Sequence, residues 1–290
     1  MSNREETYTK AMLFEEECFV NKQIFHRPEL RRPCRVLVAI SLAALVQFSA
    51  GDVRGEAARP DALRVGLARV CITPEKPIWL HGYASKPRFR PFEGKFNDLF
   101  AKAMALEDAG GERAVLITVD LCVLRAAEGK ALFGRLTERT GLQRRQLLVN
   151  FSHTHSGPIL GSSDLDRYPM SAEERQATLD YTAGLFEKIA DVARAALVDL
   201  KPATLAWGTG KCDFVRNRRL YREDGSYRGM GPNADKYADD TVPVLCVCGP
   251  NETLRGIVFG CACHPVTFGS DNLKLSGDYA SFAQEEFEAS

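Results

Sequence analysis

Eight consecutive residues constrain this chain more than any others: Phe151-Ser152-His153-Thr154-His155-Ser156-Gly157-Pro158. They follow Leu147-Leu148-Val149-Asn150, an apolar run that reads as a buried strand, and they stop at a Gly-Pro pair that interrupts regular structure. Two of the chain's five histidines therefore stand where a strand ends. In extended backbone, residues two apart point to the same face, so His153 and His155 are expected to aim both imidazoles into one cavity. Neutral imidazole is a common zinc ligand, and a strand end is rigid enough to hold one in place. The competing reading is a pair of hydrogen-bonded histidines at the mouth of a loop, because two histidines alone do not complete a four-ligand site.

A second strand end repeats the arrangement. The run from Ile257 to Cys263 is strand-like and stops at His264-Pro265, again a histidine followed by a breaker. Three histidines from two strand ends make a shared metal site the stronger reading. Between them lies Arg216-Asn217-Arg218-Arg219, just after the strand-like Cys212 to Val215. A basic cluster of this kind is usually solvated, but an arginine reaching the same mouth could hold a carbonyl or carboxylate oxygen.

The surrounding pattern predicts a layered α/β architecture. Leu63 to Val70 alternates as a strand, and residues 84–96 look like a loop. Leu99 to Leu106 and Ala114 to Asp120 read as strands joined by a hairpin-like Asp108-Ala-Gly-Gly111. Asp120 is either an active-site carboxylate at a strand end or a cap for the next helix. A helix is expected over 124–140, and a second, opened by the capping box Ser171-Ala-Glu-Glu174, to about Leu197. Strand-like runs return at Thr204 to Trp207, Val242 to Cys248 and Leu254 to Cys263, with a polar loop from Arg216 to Asp240. This order implies a mixed β-sheet with flanking helices.

Lys plus Arg and Asp plus Glu both number 38, so nothing in the overall charge draws the chain to nucleic acid or an anionic membrane. The nine cysteines include no CxxC pair and read chiefly as buried structural thiols, with a disulfide or metal role as the alternative. Residues 1–57 are set apart as an N-terminal extension. Within it, Arg31-Arg32-Pro33-Cys34-Arg35 flanks the apolar run Val36 to Val46, the form of a secretory signal, with a retained membrane anchor as the alternative. Either places the body, 58–290, outside the cytoplasm: secreted, periplasmic, or anchored with an extracytoplasmic domain.

Taken together, Ser152-His-Thr-His-Ser-Gly-Pro158, Asn217-Arg218, Ala262-Cys-His-Pro265 and Ser276-Gly-Asp-Tyr279 resemble the neutral or alkaline non-lysosomal ceramidase family. So do Val65 to Pro74, His81-Gly-Tyr83 and Leu116 to Cys122, which extends the likeness over about 63–290. The resemblance implies a zinc-dependent amidohydrolase that cleaves the N-acyl amide of a ceramide-like lipid to a fatty acid and an amine. It implies that His153 and His264 hold zinc, that His155 contacts the reacting oxygen, and that Arg218 stabilises developing charge. The implied partner is a small-molecule N-acyl lipid, met at a membrane surface and with no nucleic acid involved. Asp120 and Asp278 are expected to orient the ligating imidazoles, and His81 to be a structural or rim residue, with a further ligand as the alternative. The family completes its site with a Glu and a Tyr beyond the matched region, so the domain is expected to be C-terminally truncated. The alternatives are a non-catalytic or vestigial form that only binds ligand or metal, and an unrelated histidine-pair metallohydrolase.

Overall fold

The computed structural model describes residues 63–289. The N-terminal extension, with its signal or anchor reading, lies outside them. Among the described residues no helix is long and apolar enough to cross a membrane.

A five-stranded sheet forms the centre. It is built from β1 (Arg64–Cys71), β3 (Phe100–Glu107), β4 (Arg113–Val119), β5 (Leu147–Phe151) and the short β6 (Lys201–Pro202), in the order β5-β4-β3-β1-β6. β3 and β4 pair antiparallel through the expected turn at Asp108–Gly111, whereas β4 and β5 pair parallel, with Val119 opposite Phe151. That parallel step needs a crossover, and α1 (Ala126–Thr140) supplies it. Strands β4 and β5 therefore end on the same edge, where the site lies.

Alternation along these strands separates two cores. Ala101, Ala103, Ala105, Val115, Ile117 and Val119 face α1 and the long α2 (Ala172–Val198). Val65, Met104, Leu106 and Leu116 face the other way, onto a three-stranded antiparallel sheet of β7 (Thr204–Lys211), β10 (Thr241–Cys248) and β11 (Leu254–Phe259), ordered β11-β10-β7. The period of two is the pleat itself. Helix α2 begins at the predicted capping box: the Glu174 N–H donates to Ser171 Oγ (3.2 Å), and the Ser171 N–H donates to the Glu174 carboxylate (2.8 Å). It lies so close to β1 that a Cβ on Gly66 would stand 1.9 Å from the Ala196 carbonyl oxygen.

Three sequence expectations change. The strand through Cys263 ends at Phe259, and Cys212 to Val215 is not a strand. The polar loop from Arg216 to Asp240 holds a β-hairpin, β8 (Asn217–Tyr221) with β9 (Tyr227–Asn233). Two two-residue strands, β2 (Gly94–Lys95) and β12 (Lys274–Leu275), pair parallel, and α3 (Asp278–Ala289) follows directly.

Candidate metal centre

The three histidines meet. The Nε2 atoms of His155 and His264 are 3.0 Å apart and those of His155 and His153 are 3.5 Å apart. The three rings stand edge-on to one another, with centroids 4.7–5.1 Å apart. Strand alternation is not what brings His153 and His155 together, because β5 stops at Phe151. His153 instead adopts φ 67°, a left-handed conformation that costs a non-glycine residue about 1 kcal/mol or more and must be held by its surroundings. Its holders are visible: the Ser152 and His153 N–H groups donate to the Val119 and Leu121 carbonyls (3.0 and 2.9 Å). The histidine loop thus runs on beside the end of β4 after its own strand has finished.

The Ser276-Gly-Asp-Tyr segment ties the two histidine segments together. Thr154 Oγ1 donates to the Ser276 carbonyl (2.7 Å), and the Ser276 N–H returns a bond to the Ser156 carbonyl (3.0 Å). Asp278, fully buried, accepts from the Thr267 N–H and hydroxyl, and Tyr279 Oη donates to the Cys263 carbonyl (2.9 Å). Asp120 Oδ2 accepts from the Phe100 N–H (2.9 Å). These bonds of both carboxylates hold backbone and loop. The partners at the Nδ1 atoms of His153 and His264 are other groups: His153 Nδ1–H donates to the Cys122 carbonyl (2.8 Å), and Arg218 Nη2 donates to His264 Nδ1 (3.0 Å).

Those partners set the tautomers. A carbonyl only accepts, so a neutral His153 carries its proton on Nδ1 and presents a lone pair at Nε2. A guanidinium only donates, so neutral His264 carries its proton on Nε2, facing His155 Nε2. His155 Nδ1 is buried without a partner. Burial and the neighbouring His264 and His153 hold the His155 pKa down to about 4, and burial and Arg218 lower that of His264. Neutral imidazoles suit a metal. Neutral imidazole is a zinc-ligand type, and the rings of His153 and His264 stand 4.8 Å apart, centroid to centroid, with the Nε2 atom of each within 3.5 Å of His155 Nε2. By donor type the set fits.

Three contributors were not visible as site residues in the sequence. Cys122, just past β4, stands with His153 and His155 in a group whose ligand atoms all lie within 4.8 Å of one another. Tyr83 sets its ring edge against His155 at 4.8 Å. Arg88, 0% exposed, donates from Nη1 to the His155 carbonyl (2.8 Å), while its Nε and Nη2 have no partner. Gly82 makes room for His155: at φ 101°, a Cβ there would lie 2.5 Å from the imidazole Cγ. His81 is buried against Asp164 (Nε2 to Oδ2 3.6 Å), and Asp164 also takes two hydrogen bonds from Arg125. A cavity of about 370 Å³ opens over His153 and His264 and is also lined by Ser152, Arg216, Arg218 and Cys261.

No protein-family model and no curated protein sequence matches the chain. Solved structures do. Neutral ceramidase from Pseudomonas aeruginosa aligns with a TM-score of 0.61 at 22% identity, over 78% of this chain and 36% of that one. A ceramidase complexed with C2 aligns with a TM-score of 0.61 at 23% identity, over 78% of this chain and 35% of the other. The chain spans about a third of the length of these neighbours. In its described part it has a mixed α/β fold similar to that of neutral ceramidase.

Proposed function

We propose that the chain carries the histidine centre of a zinc-dependent amidohydrolase that cleaves the N-acyl amide of a ceramide-like lipid to a fatty acid and an amine. The observation that carries this reading is the convergence of three imidazoles and one arginine beside a cavity that His153, His264 and Arg218 line, in a ceramidase-like fold. His153 and His264 are the proposed zinc ligands, and the Cys122 thiol stands beside His153 and His155. When bound, zinc supplies a water ionisable near neutral pH and a Lewis acid for the carbonyl.

The chain's own groups do the rest. His155, neutral at pH 7, can accept a proton at Nε2. The Arg218 guanidinium offers N–H donors where a tetrahedral intermediate gathers negative charge. A His264 that lent its Nε2 lone pair to a metal would carry its proton on Nδ1 and lose the Arg218 bond. That leaves the guanidinium free for a substrate oxygen. The basic-flanked apolar run at Val36 to Val46 supports delivery of the body beyond the cytoplasm, secreted, periplasmic or membrane-anchored, where it would meet a lipid substrate at a membrane surface.

The test is fatty-acid release from an N-acyl sphingosine by the zinc-loaded full chain. Arg218→Ala is expected to lower kcat/KM by about 100-fold or more with zinc content unchanged. A zinc-loaded wild type that releases no fatty acid would contradict the reading and favour a non-catalytic, ligand- or metal-binding form.

A further inference from the structure

Two cysteines that the proposed function leaves unused come together at the end of the three-stranded sheet. β7 and β11 both run antiparallel to β10 between them, so they run parallel to each other and end on the same edge. Strands two places apart in a sheet stand roughly 10 Å apart. Past the edge the chains converge. Cys212 follows β7 directly, Cys261 comes two residues after β11, and their Sγ atoms are 3.5 Å apart. Both segments stay tied to the start of β10: the Cys212 N–H donates to the Asp240 carbonyl and the Gly260 N–H to the Pro243 carbonyl. The two side chains therefore reach each other across the first residues of the middle strand. A disulfide spans about 2.05 Å, so closing it requires an approach of about 1.5 Å shared between two segments that lie outside the ladder.

The location matters because of what each segment carries next. Arg218 lies six residues beyond Cys212, and His264 three beyond Cys261. Arg218 Nη2 and His264 Nδ1 meet at 3.0 Å. Cys261 is half-buried and lines the same cavity as these two, whereas Cys212 is buried behind it. Cys263, the nearest competitor in sequence, turns its sulfur to the His264 carbonyl (3.9 Å).

We propose that Cys212 and Cys261 are an oxidisable pair, and that their disulfide fixes the Arg218-bearing segment against the His264-bearing segment. The Cys261 thiolate, reached from the cavity, attacks one sulfur of a small-molecule disulfide such as glutathione disulfide. A mixed disulfide forms and one glutathione thiolate leaves. Cys212 then loses its proton to solvent and attacks the Cys261 sulfur, displacing the second glutathione. Two protein thiols lose two electrons in all, and one glutathione disulfide becomes two thiols. Burial and the neighbouring Cys261 push the Cys212 thiol up to about 12, so the cavity-lining Cys261 is the thiol placed for the first attack. The inference concerns the chain's own thiols and stands whether or not the site is hydrolytic.

The test takes the full chain, reduced and then equilibrated with glutathione disulfide, alkylated, and digested without reduction. The expected result is a linked Cys212–Cys261 peptide pair, a melting temperature raised by roughly 5 °C or more, and slower amide exchange over 213–221. Cys212→Ser and Cys261→Ser should each abolish the link and the change in exchange. Alkylation of both thiols, glutathione left on either, or a link from either to Cys263 would overturn the assignment. A linked pair with unchanged exchange over 213–221 would overturn the clamp.

Discussion

Burial favours the neutral forms of His81, His155 and His264. His81 is enclosed next to Asp164, yet desolvation outweighs that carboxylate and holds its pKa down to about 4. In the unfolded chain His81 titrates near 6.5, so its contribution to stability is complete above that pH and is lost as pH falls from 6.5 toward 4. The loss over that window is on the order of 3 kcal/mol. His81→Gln, which keeps a polar side chain without a titrating ring, should flatten the dependence of unfolding free energy on pH by about one proton. Urea titrations at pH 7, 6, 5 and 4 would check this, and an unchanged slope would contradict it. At this scale the sequence showed much of the centre. His153, His155 and His264 each stood by a strand end and a breaker, and Arg218 sat in a basic cluster between them. Cys122 was missed because a lone cysteine after an apolar run reads as core. The available signal was topological: consecutive parallel strands end on one edge, so the residue after β4 must neighbour the loop after β5. Arg88 and Tyr83 come from a Pro- and Lys-rich stretch with no periodicity, and only the closed fold shows that they pack on His155.

The elements that were legible share a buried face. β1, β3, β4, α1 and α2 each present apolar residues at the period of their structure, and each is found within a few residues of its expected bounds. The hairpin β8–β9 has no such face: its residues are exposed or intermediate on both sides, so no alternation marks it. Its turn signal, Asp224-Gly225 with φ 79° at the glycine, was present without the flanking pattern. The early end of β11 has a local cause. Its next partner on β10 is Pro243, whose carbonyl accepts from the Gly260 N–H but which has no N–H to return, and the ladder stops. The contact between β1 and α2 gives the sharpest prediction for an element. Gly66→Ala puts a Cβ against the Ala196 carbonyl and the Leu200 N–H, both backbone atoms that cannot rotate away. It should destabilise the fold by about 1–3 kcal/mol, read as a lower urea midpoint with the m-value unchanged. A wild-type midpoint would mean that the helix is not seated on that strand.

At the scale of the whole molecule, the helix layer, the five-stranded sheet and the three-stranded sheet bring two distant parts of the chain to one edge. The loop after β5 supplies His153 and His155, and the segment after β11 supplies His264. The 276–279 segment holds both through Ser276, Asp278 and Tyr279. The central claim is that this edge is a single metal centre, and zinc content measures it most directly. The full chain, purified, dialysed against zinc and freed of excess, should hold one zinc per chain by elemental analysis. His153→Ala and His264→Ala should each lose it while keeping the wild-type circular dichroism spectrum. Zinc retained in both variants, or absent from a folded wild type, would contradict the account.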